Sequence, residues 1–322
     1  MIKNLEIFNF KSVKHLKLEC KRINLFIGEP NTGKSNILEV IGLLSYMYYG
    51  GDVRRFCRFE NMTDLFYDRV LDNKVKIVFD QKTLEMEFKD GSFFGNFFDK
   101  IEQRSGEAFR FGYQGTGSRA ILPDFAPFKF YRFAIKFSFP DQRSEFLYPL
   151  DGDNLLAVIS ARKALRAIIK QIFGNFGLTL VLELQEGKMR LQKPLEEDIV
   201  ISFPYSLASE TLQRLVFHLA AIYSNKDSVI AFEEPEAHAF PYYTKYLAET
   251  IAQDKNNNQY FISTHNPYFL LSMLEKAPKD EVAVFCTSLE DYQTKVNALT
   301  EDQISEILEK GLDVFFNLER FH

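Results

Sequence analysis

The feature that most constrains this chain is a loop near its N-terminus that matches the spacing G-x-x-x-x-G-K-[ST]. The residues that define the match are Gly28, Gly33, Lys34 and Ser35. An apolar run at residues 23–27 predicts a strand before the loop, and a helical pattern follows it until Gly50-Gly51. A strand, a loop and a helix in this order are the context in which the pattern binds phosphate.

Each residue type in the loop suits a nucleotide phosphate. Glycines let backbone N–H groups turn toward phosphate oxygens at a helix N-terminus. The Lys34 ammonium can approach the β- and γ-phosphates, and the Ser35 hydroxyl can ligate Mg²⁺. The residues predicted to bind the nucleotide are Gly28, Glu29, Pro30, Asn31, Thr32, Gly33, Lys34, Ser35 and Asn36.

Composition is that of a globular protein and argues against several classes of function. The 322 residues are 46% apolar and 26% charged, and the net charge of −5 gives no general attraction to nucleic acid. Cys20, Cys57 and Cys286 lack C-x-x-C spacing, which argues against zinc or disulfide frameworks and indicates a reducing compartment. No apolar run reaches the roughly 18 residues of a membrane span. We therefore expect a cytoplasmic protein without membrane contact.

Two further strand patterns end in polar residues. An apolar run before Glu233 and Glu234 predicts a strand, which Pro235 ends. If this strand lies beside the P-loop strand, Glu233 holds the metal, while Glu234 orients and deprotonates the attacking water. A third apolar run ends at His265, whose imidazole could hydrogen-bond the γ-phosphate. Ligands bind at such strand ends in open α/β sheets.

The segment between these motifs, residues 51–199, is rich in phenylalanine and in strand-like alternation. Residues 75–79, 84–88 and 128–139 are predicted strands. The segment would form an arm or lid over the core, and its basic and aromatic alternation could bind a nucleic acid strand. A half-buried sheet with a solvated basic face explains the same pattern and is favoured.

Residues 154–173 predict one amphipathic helix, capped by Asp151 or Asp153. Its basic stripe consists of Arg162, Lys163, Arg166 and Lys170, for which a solvated face is favoured over a partner contact. Asp151-Gly152-Asp153 resembles a D-x-D metal pair, but a turn and cap explain it better. Strands are expected at 178–184 and 199–203.

The motifs together resemble a known family. They are Asn9-Phe10-Lys11-Ser12, Gly-Glu-Pro-Asn-Thr-Gly-Lys-Ser-Asn, Phe-Glu-Glu-Pro-Glu-Ala-His and Ser-Thr-His-Asn-Pro-Tyr. The chain is similar to the ABC-type ATPase heads of the SMC, RecF and OLD groups, and most similar to stand-alone prokaryotic ATPases of phage-defence and toxin–antitoxin operons. The resemblance implies an α/β P-loop NTPase: an antiparallel β meander and a mainly parallel sheet with flanking helices, plus a β-rich inserted arm.

The resemblance also implies roles and cofactors. ATP and Mg²⁺ would be the ligands, with residues 28–35 as the Walker A loop and Lys34 in the catalytic set. Glu233 would be the Walker B acid and would bind the metal together with the Ser35 hydroxyl. Glu234 would be the catalytic base and His265 the switch histidine.

Such heads carry a signature segment that contacts ATP on a second protomer. Ser209 fits the signature serine, whereas Glu210 stands where the family usually has glycine. A carboxylate there would repel phosphate. Alternatively, Ser209 simply caps a helix that runs to about residue 223. Gln114 is a candidate for the Q-loop glutamine.

We expect residues 1–50 and 200–322 to form the nucleotide-binding core and residues 51–199 to form the insertion. The leading hypothesis is an ATP-controlled switch that works as a homodimer or higher oligomer and acts on a separate effector protein or on DNA. The alternative is a nucleotide-sensing, antitoxin-like scaffold that turns over slowly. The motor subunit of a membrane transporter is a weaker third reading. About 55 residues follow His265, too few for a Toprim nuclease.

Overall fold

The computed structural model describes residues 1–196, 199–310 and 314–321; the parts of the expected domains at 197–198, 311–313 and 322 lie outside the described residues. The strands are β1 (Asn4–Phe10), β2 (Val13–Glu19), β3 (Ile23–Gly28), β4 (Val75–Phe79), β5 (Lys82–Lys89), β6 (Ser92–Asp99), β7 (Arg104–Phe111), β8 (Gly117–Arg119), β9 (Phe128–Tyr131), β10 (Thr179–Glu183), β11 (Lys188–Glu196), β12 (Ile199–Pro204), β13 (Val229–Glu233), β14 (Gln259–Ser263), β15 (Val282–Glu290) and β16 (Gln293–Ala298). The helices are α1 (Lys34–Tyr49), α2 (Val53–Phe56), α3 (Leu155–Ala161), α4 (Lys163–Gly174), α5 (Glu210–Ser224), α6 (Pro241–Ala252), α7 (Pro267–Lys276) and α8 (Glu301–Lys310).

A six-stranded sheet forms the centre of the fold, in the order β16-β15-β3-β14-β13-β9. Its pairs are parallel except for β16, which runs antiparallel to β15. All six residues of β3 are buried. This continuous apolar run is typical of a strand that is covered on both faces, as parallel strands usually are.

The two faces of this sheet pack against different layers. Leu25 points into a core formed mainly with helices α3 to α8, whereas Phe26 points to the opposite face, toward α1. Successive side chains of a strand alternate between faces, so one apolar strand supplies both cores. Phe26 stacks on Phe261 and Phe285, which places many of the phenylalanines in this second core.

A second, antiparallel sheet covers α1 from the other side, in the order β2-β1-β4-β5-β6-β7-β8. The predicted β1–β2 meander is thus confirmed, and β4 and β5 extend it. This part of the insertion shares a sheet with the N-terminal strands. Phe79, Phe97 and Phe109 are buried there, so the favoured half-buried sheet matches the observed packing better than a nucleic-acid arm does.

The predicted strand at residues 128–139 is wrong beyond Tyr131. β9 ends there and pairs in parallel with β13, so it belongs to the central sheet and not to an outlying arm. Alternation continues in the sequence after Tyr131, but Ile135 and Phe137 are largely exposed and the segment has no strand partner among the described residues.

The single helix predicted at residues 154–173 is two helices. Arg162 separates α3 from α4 with an extended backbone (φ −114°, ψ 102°). Its guanidinium donates to the carbonyl oxygens of Ser144 and Glu145, so it is bound to the chain and does not extend a solvated stripe. The predicted caps are also wrong, because Asn154 occupies the N-cap position of α3. Asp151 and Asp153 instead both pair with Lys136.

The remaining elements lie close to expectation. β10 and β12 confirm the predicted strands, and β11, which the sequence did not indicate, pairs with both to form a three-stranded antiparallel sheet. Before α8, the Thr300 and Gln303 side chains each accept the other residue's backbone N–H and so form a capping box. Within the described part of the chain, no helix is long and apolar enough to cross a bilayer.

Candidate nucleotide-binding site

The motifs meet at the carboxyl edge of the central sheet. β3, β14, β13 and β9 run parallel, so the residues that follow them leave the sheet on the same side. The expectation that the acid-bearing strand lies beside the P-loop strand is wrong, because β14 lies between β3 and β13. His265 therefore follows the strand that separates the loop from the acids.

The P-loop is shaped by its contact with β15 and β16. Gly33 caps α1 in the left-handed region (φ +96°), and a Cβ added there would lie 1.9 Å from Thr294 Oγ1. Gly28 lies equally close to β15, because its Cβ would be 2.4 Å from the carbonyl oxygen of Thr287. Both positions thus require glycine for space as well as for φ.

Lys34 points back over the loop that precedes it. Its ammonium group donates to the carbonyl oxygens of Gly28 (2.9 Å) and Glu29 (2.6 Å), and only 5% of the residue is exposed. Burial lowers the pKa of Lys34 to about 8, and the nearby Glu234 carboxylate acts in the opposite direction. A cation is therefore held inside the loop, near an acid that directly follows β13.

Other loop residues support the loop itself. The Thr32 hydroxyl donates to the Glu29 carbonyl (2.8 Å) and lies 2.6 Å from Thr287 Oγ1. Glu29, Pro30 and Asn31 are exposed. Ser35 is half-buried in the first turn of α1, where the helix N-terminus favours negative charge.

The Asn36 side chain contacts the N-terminal meander. Its amide donates to Ser12 Oγ (2.7 Å), which lies 2.6 Å from Thr294 Oγ1. Lys11 pairs with the buried Glu39 of α1. The Asn9-Phe10-Lys11-Ser12 motif thus braces the P-loop helix from outside the central sheet.

Glu234 and His265 contact each other at the sheet edge. His265 Nε2 lies 3.3 Å from Glu234 Oε1, and Glu234 adopts a left-handed backbone (φ 44°) directly after β13. That conformation is uncommon for a residue other than glycine and turns the side chain out of the strand direction. The hydrogen bond from His265 and the charge of Lys34 hold the pKa of Glu234 below its usual range.

Glu233 has partners that the sequence did not predict. Arg132 donates to its Oε2 (3.1 Å) and Arg58 approaches its Oε1 (3.4 Å). Arg132 follows β9, which ends level with β13, and Arg58 follows α2. Had β9 been predicted to end at Tyr131, Arg132 would have been recognised as another residue at this edge.

Glu236 lies behind the two acids and is 5% exposed. Its Oε1 accepts a hydrogen bond from Thr264, the residue before His265. Its Oε2 is buried and has no hydrogen-bond partner among the described residues. Burial raises the pKa of Glu236 to about 7. Glu236 is not among the site residues predicted from the sequence, although it stands in the same motif.

The predicted signature residues lie at the start of α5. Ser209 caps the helix, because its Oγ accepts the N–H of Leu212 (3.4 Å), as the alternative interpretation expected. Glu210 accepts a hydrogen bond from Arg214 (2.8 Å) one turn further on. Thr211 donates to the carbonyl oxygen of His238 (2.6 Å), which ties α5 to the segment after the acids.

Gln114, the Q-loop candidate, is exposed in the turn between β7 and β8. It is not on a strand of the central sheet. The structure therefore brings Lys34, Glu234 and His265 together, places Glu233 beside them in contact with arginines, and leaves Gln114 in a turn of the antiparallel sheet.

These residues fit a magnesium nucleotide. The described residues contain no group of three or more His, Cys, Asp or Glu side chains able to hold a metal alone. Mg²⁺ in nucleotide sites usually takes one or two protein oxygens and completes its shell with phosphate and water. Ser35 and Glu233 offer such oxygens, and Lys34 and the α1 N-terminus suit phosphate.

The fold is that of a P-loop NTPase with the architecture of an SMC head. Two solved structures are similar over nearly the whole chain. An Smc head bound to the C-terminal winged-helix domain of ScpA is 15% identical, with a TM-score of 0.55, and the match covers 94% of this chain and 98% of that one. An Smc head with an extended coiled coil, bound to the C-terminal domain of ScpA from Pyrococcus furiosus, is 14% identical, with a TM-score of 0.54 and coverage of 96% and 98%.

The chain belongs to the family described as "AAA domain, putative AbiEii toxin, Type IV TA system", whose profile matches residues 96–272, more than half of its length. A second profile, "AAA ATPase domain", matches residues 1–123. No curated protein matches the chain. At these identities the solved structures show the fold alone, and they confirm the predicted P-loop NTPase fold.

Proposed function

We propose that this chain binds and hydrolyses ATP with Mg²⁺ at the carboxyl edge of its central sheet. The observation that carries the proposal is the convergence of Lys34, Glu234 and His265, which come from three separate parts of the sequence. Glu234 contacts His265 and lies close enough to Lys34 for their charges to interact. Such clusters of interacting titratable groups mark functional sites.

Each residue has a role that follows from its position. Backbone N–H groups of residues 28–35 and the Lys34 ammonium would bind the β- and γ-phosphates. Ser35 and Glu233 would hold Mg²⁺, which when bound neutralises the charge on the phosphate oxygens. Glu234 is kept ionised and can accept a hydrogen bond from the attacking water, and His265 positions that carboxylate.

We further propose that ATP controls association of two copies through Ser209 and the start of α5. Glu210 replaces the usual glycine, but its carboxylate pairs with Arg214, and that guanidinium partly offsets the carboxylate's charge. This supports a phosphate contact across a dimer, because less negative charge is left to oppose it. Neighbouring Leu207 is 73% exposed, which is compatible with burial by a second copy.

Turnover of ATP by the purified chain tests the proposal. We expect Mg²⁺-dependent phosphate release and a loss of about 10²- to 10⁴-fold in Glu234→Gln, since a positioned base contributes about that much. Glu234→Gln should still bind ATP and should dimerise in size-exclusion chromatography. Glu275→Gln, an exposed glutamate of α7, is the matched control and should turn over normally. Equal turnover in Glu234→Gln and wild type would refute the role of Glu234.

A second candidate is a slowly hydrolysing component of a toxin–antitoxin system that controls a separate effector. The family description names such systems, and the arginine pair on Glu233 favours slow metal uptake and slow turnover. Tight ATP binding with negligible phosphate release by the wild type would favour this candidate. Rapid turnover would favour the ATP-driven switch.

A further inference from the structure

The Glu233 carboxylate, which the sequence predicts to hold the metal, is already paired with two arginines from the inserted segment. Arg132 Nη2 lies 3.1 Å from Glu233 Oε2, and Arg58 Nη2 lies 3.4 Å from Glu233 Oε1. The Glu233 side chain is 19% exposed and that of Arg132 is 30% exposed, so the pair is partly shielded from water. Charge pairs in such settings interact more strongly than pairs on an open surface.

Other contacts hold both arginines in place. Arg132 also donates to the carbonyl oxygen of Arg55 (2.8 Å), and its backbone N–H donates to Leu150 (3.0 Å). Arg58 also donates to Glu39 (2.6 Å), which is fully buried in α1. The arginines are therefore fixed by several elements, and their contact with Glu233 does not depend on a freely moving side chain.

The arrangement connects the two parts of the site. Glu39 lies on the helix that begins at the P-loop, and Arg58 touches both Glu39 and Glu233. Lys11 touches Glu39 as well. The line Glu39–Arg58–Glu233–Arg132 thus joins the P-loop helix to the end of β9 through alternating charges.

We propose that Arg132 and Arg58 are positioning residues that set the metal dependence of nucleotide binding; this inference rests on the proposed function. By compensating the Glu233 carboxylate, they let a polyphosphate approach when no divalent cation is present. With a cation at Glu233, the carboxylate would be compensated without the two guanidinium groups. Removal of an arginine thus weakens metal-free binding and has little effect on metal-loaded binding.

The experiment measures the affinity of a non-hydrolysable ATP analogue by calorimetry, with EDTA or with saturating Mg²⁺. Arg132→Gln removes the charge and keeps a hydrogen-bond donor. We expect its metal-free affinity to fall about tenfold, within the usual range of coupling between two sites, and its affinity with Mg²⁺ to change less than about twofold. Arg58→Gln should act in the same direction and serves as the second variant if Arg132→Gln does not fold.

The double variant with Glu233→Gln separates positioning from direct phosphate contact. If the arginine acts through Glu233, Arg132→Gln has no further effect on metal-free affinity in the Glu233→Gln background. Arg54→Gln is the matched control, because Arg54 lies in the same segment and pairs with the exposed Asp52. Its metal-free affinity should equal that of wild type.

Three outcomes overturn the inference. The first is that Arg132→Gln loses the same metal-free affinity in the wild-type and Glu233→Gln backgrounds. The second is that neither Arg132→Gln nor Arg58→Gln loses metal-free affinity. The third is that Arg54→Gln loses as much as Arg132→Gln. If the wild type binds no nucleotide even with Mg²⁺, the proposed function itself fails. Wild-type binding without any Arg132–Glu233 coupling refutes only the inference.

Discussion

The two halves of the site are held together by different forces. The loop half, residues 28–36, is held by backbone shape, because Gly28 and Gly33 leave no room for a Cβ against Thr287 and Thr294. The acid half, residues 233–236, is held mainly by charge and hydrogen bonds to arginines, His265 and Thr264. The loop half should therefore be sensitive to side-chain volume, whereas the acid half should be sensitive to charge and pH.

The largest effect on nucleotide affinity is expected from Lys34, the charged residue of the loop half. Lys34→Ala removes the buried ammonium that we expect to meet the phosphates, so affinity for Mg-ATP should fall at least about 100-fold, or ~2.7 kcal/mol. Calorimetry measures this affinity. Lys14→Ala, an exposed residue of β2, is the control and should bind normally. If Lys34→Ala binds Mg-ATP with wild-type affinity, the loop half does not bind the nucleotide through Lys34.

The shape requirement of the loop half can be isolated with two glycines of equal backbone angle. Gly33 and Gly51 both have φ +96°, but a Cβ at Gly51 meets no atom within 4 Å. Both alanine variants carry the backbone strain, and Gly33→Ala adds the collision with Thr294. We expect Gly33→Ala to lose about 1–3 kcal/mol more unfolding free energy than Gly51→Ala in urea titrations. Equal losses would show that strain alone, and not packing, requires glycine.

The acid half should make the free energy of unfolding depend on pH. Burial raises the pKa of Glu236 from 4.5 to about 7, so the folded state binds this proton more tightly than the unfolded state. The stability that this proton provides is complete below pH 4.5 and is lost as the pH rises through 7. Wild type should therefore lose about 3 kcal/mol relative to Glu236→Gln between these limits.

Denaturant unfolding at pH 5 and pH 8 measures this difference. Glu275→Gln, at an exposed position, should follow the wild-type pH dependence. The idea of a neutral Glu236 fails if the Glu236→Gln curve runs parallel to that of wild type.

The smallest effect concerns Ser209, which lies outside both halves. Ser209→Ala removes the α5 cap and should cost about 1 kcal/mol of unfolding free energy, whereas Ser209→Asp should retain the cap. If Ser209 also meets phosphate on a second copy, the added charge of Ser209→Asp will reduce ATP-induced dimerisation in light scattering. Normal dimerisation of Ser209→Asp would leave Ser209 as a helix cap alone.

Local sequence patterns predicted much of the fold near the site. The run before Gly28 became β3, and the helix after the loop ends at Tyr49, before Gly50-Gly51. Glu233 ends a short buried strand, as its apolar run indicated. These features depend on neighbours within a few residues, so periodicity and turn residues suffice to predict them.

Patterns failed where a distant contact decided the local structure. The helical periodicity at residues 154–173 continues through Arg162, yet the helix is interrupted there. The Arg162 guanidinium donates to the carbonyl oxygens of Ser144 and Glu145. Strand alternation likewise continues past Tyr131, but β9 ends there. Periodicity reports which residues could face a core, and not whether a partner is present.

The local sequence specified the chemistry of the loop: a lysine, a serine and glycines at one spacing before a helix. It also placed two carboxylates and a histidine at the ends of buried strands. The strand order of the folded sheet places β14 between the loop and the acids. Folding also brings Glu233 to Arg132 and Arg58, which lie 101 and 175 residues away in the chain. The physical reason is that a charge pair depends on distance in space, and local patterns carry no information about which remote side chains the sheet order brings together.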